Sequence, residues 1–187
     1  EYLRKYGIKA VELKLGNIYA TETAEQLWSI LEVIKDISNR SKFNIAISGR
    51  IFNFNLNKLS AAELHQEEFE LLYQKFYTYK QIFETRGIIS LIYKLIEDTS
   101  SKEAHGLTNR ELSNLIQLGE LLNNYSKRLH NPYELLHWFK GKIKAAKDTN
   151  DKDLEDDSEE IVRLDNDDEQ VLITTQHRSK GLEYQIL

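Results

Sequence analysis

The chain has 187 residues, of which 41% are apolar and 29% are charged, and it contains no Cys and no Met. This length suits one compact domain. No run approaches the roughly 18 apolar residues of a membrane span, so we expect no membrane partner. Because Cys is absent, a disulfide scaffold, a thiol nucleophile and a cysteine zinc site are excluded. The absence also suits a reducing compartment, and we expect a cytoplasmic location.

Acidic residues are concentrated in residues 148–169, which hold twelve acids and only two bases. Such a block repels itself and cannot bury apolar surface, so it is predicted to be a solvated linker. A hard cation is the alternative reading of so many carboxylates, although the glycine and the ligand spacing of a calcium loop are missing. The rest of the chain is mildly basic, which permits contact with nucleic acid without requiring it.

Periodicity predicts strands at both ends and helices between them. Apolar and polar residues alternate over 8–15 and indicate a short strand. Five or six helices follow. Capping boxes are predicted at Thr23 with Gln26, at residues 60–63 and at residues 108–111, and a helix stop at Gly87. Asn131 is predicted to cap a last helix that starts with Pro132.

The predicted helices contain few residues that could bind a ligand or take part in catalysis. One helix face is aromatic, and at this spacing the aromatic side chains are predicted to lie in a core, with base stacking as the alternative. Its members are Phe69, Tyr73, Phe76, Tyr79 and Phe83. Trp28 and Trp138 are also predicted to be core or partly buried residues. His130 and His137 have no third ligand, so we expect no metal site.

Strand patterns return after the acidic block, over 161–164, 171–175 and 184–187. The order predicts a helical block inserted between parts of a sheet-containing domain. The lack of Met and the apolar run at 184–187 indicate a piece excised from a longer protein. No phosphate-cradling P-loop sequence is present in the chain.

Residues 174–184 combine a β-branched strand with a small, polar, basic turn. The turn offers hydroxyls, an imidazole, two cations and a glycine, which are groups that contact phosphates. Ligands bind at strand ends in α/β sheets, so this segment is the candidate site. The alternative is an ordinary connection between a strand and a helix.

The pattern Thr175-x-His177-x-Ser179-Lys180-Gly181-Leu182-Glu183-Tyr184 resembles motif V of superfamily-one DNA helicases of the UvrD/RecB type. The flanking runs at 162–165 and 171–175 resemble the approach to that motif in the RecB branch. Residues 79–88, 107–122 and 135–139 continue the resemblance in order. It covers nearly the whole chain and favours RecB over AddA or UvrD itself.

The resemblance implies a mainly α fold, in which a helical insertion of the 2B type is flanked by short strands of a RecA-like α/β motor domain. Residues 1–38 would belong to the second motor domain and residues 39–150 to the insertion. Residues 151–169 would be the acidic linker, and residues 170–187 would return to the motor domain at motif V.

The resemblance also implies roles for single residues. Thr175 and His177 would contact the backbone of single-stranded DNA, while Gly181 and Glu183 would lie near the nucleotide, with Glu183 reaching the ribose. No catalytic or metal-binding residue is expected within the chain. ATP and Mg²⁺ would act in the intact protein, and the fragment alone is expected to bind neither cofactor, to hydrolyse no ATP and to cut no DNA.

The implied function is that of RecB, the helicase-nuclease subunit of exodeoxyribonuclease V, which unwinds and degrades DNA ends during recombinational repair of double-strand breaks. The implied partners are single-stranded DNA, duplex ends, and RecC-like and RecD-like subunits. The alternative is a helical protein-interaction module in which the basic turn is incidental.

Overall fold

The computed structural model describes residues 10–12, 16–54, 63–100, 107–148, 159–163 and 171–173. Within them the chain is mainly helical. The six helices are α1 (Glu22–Lys35), α2 (Arg40–Ser48), α3 (Glu63–Arg86), α4 (Ile88–Ser100), α5 (Asn109–Ser126) and α6 (Glu134–Asp148). Two three-residue strands, β1 (Ala10–Glu12) and β2 (Val171–Ile173), lie within segments for which the sequence predicts strands.

Helix α1 lies at the centre of the helical lobe and contacts α2, α3, α5 and α6. Its apolar residues Leu27, Ile30, Leu31 and Ile34 recur at the spacing of one helix face, and all four are fully buried. Helix α1 therefore shares one core with the later helices. The predicted domain boundary at residue 38 stays a prediction.

The aromatic face of α3 packs inside this core, as the sequence predicts. Phe76, Tyr79 and Phe83 are at most 1% exposed. The ring of Phe43 in α2 meets the rings of Phe69 and Phe76 edge-on, with centroids 5.2 and 5.1 Å apart. Such geometry suits the ring quadrupoles. These rings are not available for stacking on nucleic-acid bases.

Two local signals act where the sequence predicts. Gly87 separates α3 from α4 with a φ of +83°, a value that L side chains rarely adopt, so glycine suits this helix end. Thr108 and Glu111 form a complete capping box at the start of α5, and Arg50 donates from Nε to the Glu111 carboxylate at 2.9 Å.

The start of α1 differs from the prediction. The cap is Thr21, whose Oγ1 accepts from the backbone N–H of Ala24 at 3.2 Å, and the helix begins at Glu22. The predicted box at Thr23 and Gln26 is therefore wrong. Thr23 is buried within the first turn, and the amide of Gln26 bonds to Glu22 and to the N–H of Ile51 instead.

The sequence does not predict helix α2, because residues 39–57 have the pattern of a break followed by a short apolar stretch. Asn39 caps it by accepting from the N–H of Lys42 at 3.1 Å. Phe43, Ala46 and Ile47 then fall on the buried face. The predicted start of the last helix at Pro132 is wrong: Asn131 accepts from the N–H of Tyr133 at 2.9 Å in a turn, and α6 begins at Glu134.

Asp98 at the end of α4 is held by groups from two helices. It accepts from the hydroxyl of Tyr79 at 2.8 Å and lies 3.1 Å from Nζ of Lys94 and 3.6 Å from Nζ of Lys75. Burial alone would raise the pKa of Asp98, but the bonds from Tyr79 and Lys94 and the charge of Lys75 outweigh it and hold this pKa below its usual value. The burial of Tyr79 and its hydrogen bond to Asp98 raise the pKa of Tyr79.

We expect this carboxylate to make stability pH-dependent. A folded-state pKa below the unfolded one contributes stability that is present above the unfolded pKa and is lost as the pH falls through the folded pKa. Asp98→Asn should therefore lower the free energy of unfolding most at neutral pH, and this loss should shrink towards about pH 3. Urea unfolding of both proteins across this range measures it. Glu97→Gln, which removes an exposed ion pair, is the control. A cost for Asp98→Asn that does not change with pH would contradict the assignment.

Strands β1 and β2 pair in parallel, with Ala10 opposite Val171, Val11 opposite Leu172 and Glu12 opposite Ile173. All six helices lie between the two strands in the sequence. Parallel neighbours need a crossover connection, and here the crossover contains the whole helical lobe.

Candidate functional site: the neck of the helical lobe

The four residues for which the sequence predicts DNA or nucleotide contacts, Thr175, His177, Gly181 and Glu183, lie outside the described residues. Their roles remain predictions. The structure does describe β2, which ends at Ile173, directly before the predicted site. It also describes the place where the chain enters and leaves the helical lobe.

We call this place the neck and define it by an entering segment, residues 16–19, and a returning segment, residues 159–163. The N–H of Ile18 donates to the carbonyl of Glu160 at 2.8 Å, and the N–H of Val162 donates to the carbonyl of Gly16 at 3.0 Å. Asn17 and Ile161 form an antiparallel bridge between these bonds. The chain therefore leaves the lobe beside the point at which it entered.

The returning segment is also fixed by α5. Gln117 is only 1% exposed, and its Nε2 donates to the carbonyls of Glu159 at 3.0 Å and Ile161 at 2.6 Å. Its Oε1 accepts from the N–H of Arg163 at 3.0 Å. Every polar atom of this buried amide thus bonds to the backbone of the returning segment. Val162, between the bonded residues, is 4% exposed and belongs to the core.

Charged groups add further contacts to the returning segment. Arg163 pairs with Glu120 of α5 at 2.7 Å, and its carbonyl accepts from Nη1 of Arg110 at 2.6 Å. Glu160 pairs with Lys142 of α6 at 2.5 Å. Residues 159–163 are therefore docked on two helices, although the sequence places residues 159 and 160 in the acidic block.

Tyr19 closes the other side of the neck. It is 1% exposed, and its ring meets those of Trp138 and Phe139 with centroids 6.0 Å apart in both cases. Burial raises the pKa of Tyr19, and the charges of Glu160 and Glu159 raise it further. Both effects favour the neutral hydroxyl, so this phenol does not act as a phenolate base near physiological pH.

A shallow cleft of about 280 Å³ opens beside Tyr19, with Tyr125, Trp138, Glu159 and Glu160 in its wall. Aromatic rings beside carboxylates suit a cation. Lys142 already supplies one, because its Nζ lies 5.8 Å from the ring centre of Tyr19 and 5.6 Å from that of Trp138. Because Arg128 also lines the cleft, two basic side chains balance its two carboxylates, and we assign the cleft no ligand.

The described residues offer few other groups that could bind a ligand or catalyse a reaction. Among the described residues, no three His, Cys, Asp or Glu side chains come together as a metal site would require. His130 and His137 are both exposed. No helix in the described part of the chain is both long and apolar enough to cross a membrane. The most developed polar network described above is therefore the one that binds the returning segment at the neck.

Sequence reasoning missed Gln117. Its partners are backbone groups 42 to 46 residues further along the chain. A glutamine beside the apolar residues of α5 gives no sign of such a role, and residues 159 and 160 read as part of a charged linker. The available hint was the short apolar run at 161–164, which breaks the acidic block.

The helical lobe thus has its two chain ends side by side, and in the sequence it lies between two strands that pair in parallel. No protein-family profile matches the chain. Curated relatives do. RecBCD enzyme subunit RecB of Haemophilus influenzae is 24% identical over 189 residues, covering 99% of this chain. The same subunit of Escherichia coli is 24% identical over 169 residues, and that of Chlamydia muridarum is 28% identical over 171 residues, each covering 89% of this chain.

These similarities confirm the resemblance to RecB on which the sequence interpretation rests. The chain spans only 15% of the Haemophilus influenzae subunit and 14% of the Escherichia coli one. The relatives are named as subunits of an enzyme. The activity, substrates and partners of the whole protein are therefore a matter for proposal.

Proposed function

We propose that the chain is part of an ATP-dependent DNA helicase-nuclease subunit of the RecB kind, which processes double-stranded DNA ends in recombinational repair. The helical lobe would be its 2B-like insertion. Residues 170–187 would be the return to the second RecA-like motor domain. The observation that carries the proposal is the similarity to RecB over 99% of the chain.

Two features of the structure support this assignment. The entering and returning segments are hydrogen-bonded neighbours, as expected where a lobe is inserted into a host domain. The strands outside the lobe pair in parallel, and parallel sheets are typical of α/β motor domains. An independent helical interaction module has no need of either feature.

Function would then reside in the segment that follows β2. Thr175 and His177 would contact the backbone of single-stranded DNA, and Gly181 and Glu183 would lie beside ATP. A loop that contacts both ligands lets each bound state change the affinity for the other, which is how hydrolysis becomes movement. Mg²⁺ and the phosphates of ATP would be held by other parts of the subunit, and RecC-like and RecD-like subunits would complete the complex.

Single substitutions in the full-length protein test these roles. We expect His177→Ala and Glu183→Ala each to reduce the DNA unwound per ATP hydrolysed by about tenfold, because coupling between two sites typically amounts to 5–150-fold. A strand-displacement assay run beside an ATPase assay measures the ratio. Gln176→Ala is the control, since it alters the same turn at a position outside the motif pattern.

Unchanged unwinding in both variants would remove the assigned roles. The encoding reading frame separates the broader alternatives. A frame several times longer than 187 residues, with a P-loop upstream, supports the helicase. A frame that ends near residue 187 and begins near residue 1 supports an interaction module.

A further inference from the structure

We propose that Gln117 is the positioning residue of the neck, and that its side-chain amide, bonded along one edge of the returning segment, fixes the position of residues 159–163. The inference deepens the proposed function, because the same chain then continues into the predicted DNA- and nucleotide-binding segment. The hydrogen bonds of Gln117 that support it are present whether or not the whole protein is a helicase.

The returning segment is bonded on both of its edges, with the period of a strand. Residues 160 and 162 bond to the entering segment. Residues 159, 161 and 163 bond to Gln117. Backbone groups of consecutive residues in an extended chain point to opposite edges, and those of alternate residues point to the same edge, so the two sets do not compete. One side-chain amide therefore satisfies the edge that a neighbouring strand would otherwise cover.

Burial makes this arrangement selective for an amide. The side chain must donate twice and accept once, and Gln does so without charge. A buried hydrogen-bonding group that loses its partner costs more than the bond itself contributes. An apolar residue in place of Gln117 would leave two carbonyls and one N–H of the returning segment without their partner from α5.

Helix α5 makes three polar contacts with Arg163, the last residue of the neck. The N–H of Arg163 bonds to Gln117, its carbonyl to Arg110, and its side chain to Glu120. All three partners belong to α5. Only seven residues, 164–170, separate Arg163 from Val171, the first residue of β2. The position of α5 thus sets the position of Arg163, the last described residue before β2.

Hydrogen exchange on the 187-residue chain tests the positioning role directly. We expect Gln117→Met, which keeps the length of the side chain and removes its polar atoms, to accelerate exchange of the Arg163 amide by about tenfold. Amides of α2 should keep their protection. Gln74→Met, at an exposed position on α3, is the matched control. Unchanged protection of Arg163, or an equal loss in α2, would overturn the inference.

A second variant gives a readout that simple loss of packing would not move. In Gln117→Glu the buried carboxylate can accept from Arg163 but repels the two carbonyls, whereas the protonated acid can again donate to one of them. We expect the protection of Arg163 relative to the original chain to improve as the pH falls from about 8 to about 5. A relative protection that is independent of pH would count against the role of the amide.

The full-length protein distinguishes this inference from the proposed function. Gln117→Met should lower the DNA unwound per ATP several-fold while ATP hydrolysis continues. Normal unwinding in this variant would overturn the inference and leave the proposed function intact. If the unaltered full-length protein shows no ATP-dependent unwinding, the proposed function fails, and the exchange experiment still decides whether Gln117 positions the returning segment.

Discussion

Phe76→Ala is expected to lower the free energy of unfolding by about 3–5 kcal/mol, the usual cost of emptying a large buried aromatic site. Phe76 is fully buried. Its ring lies between those of Phe43, Phe52 and Tyr79, at centroid distances of 5.1, 5.4 and 5.5 Å. Helices α2 and α3 and the turn after α2 all contribute to this cluster, so the cavity would loosen three elements at once. Urea unfolding followed by far-UV circular dichroism measures the loss.

The neighbouring residue supplies a matched control. Tyr77 belongs to the same helix and is 53% exposed, with its ring 5.7 Å from that of Tyr73. Tyr77→Ala should cost about 1 kcal/mol or less, because it removes little buried area. Equal losses for the two variants would show that the aromatic cluster is not the stabilising core of the lobe.

Gly119→Val is expected to destabilise the chain by about 1–3 kcal/mol through overpacking. Helices α4 and α5 approach closely at Gly119. A Cβ atom there would lie 3.1 Å from Cδ1 of Ile89 and 3.1 Å from Cγ1 of Ile92. Valine adds two further methyl groups, which would force the helices apart or drive the isoleucines from their rotamers. Thermal unfolding measures the loss.

Gly141 in α6 provides the comparison, because a Cβ atom there would meet nothing within 4 Å. Glycine and valine differ only by a few tenths of a kcal/mol in helix propensity, so Gly141→Val should stay within about 0.5 kcal/mol of the original chain. A Gly119→Val protein as stable as Gly141→Val would contradict the close approach of α4 and α5.

Local signals made most of the helices predictable. The Thr108 capping box and the glycine stop at Gly87 act within a single turn of chain, so the sequence around them contains the whole interaction. The aromatic face of α3 follows from spacing alone. Helix α2 was missed because its nine residues offer only one and a half turns of buried pattern, and packing on α1 and α3 decides its conformation.

The candidate site divides in the same way. Residues 175–184 form a short continuous motif, so its resemblance to a known motif is visible in the sequence. The geometry of this segment stays a prediction. The neck has no such motif. Gln117 bonds to residues 42 to 46 positions further along the chain, and each bond is to a backbone atom, which almost any residue type could supply. No sequence pattern records a contact of that kind.

The neck brings the two ends of the helical lobe together. The nitrogen of Val162 and the oxygen of Gly16 are 3.0 Å apart, so about 145 residues begin and end at nearly the same point. A short turn spans such a distance, so we expect a chain with that turn in place of residues 17–161 to leave β1 and β2 free to pair.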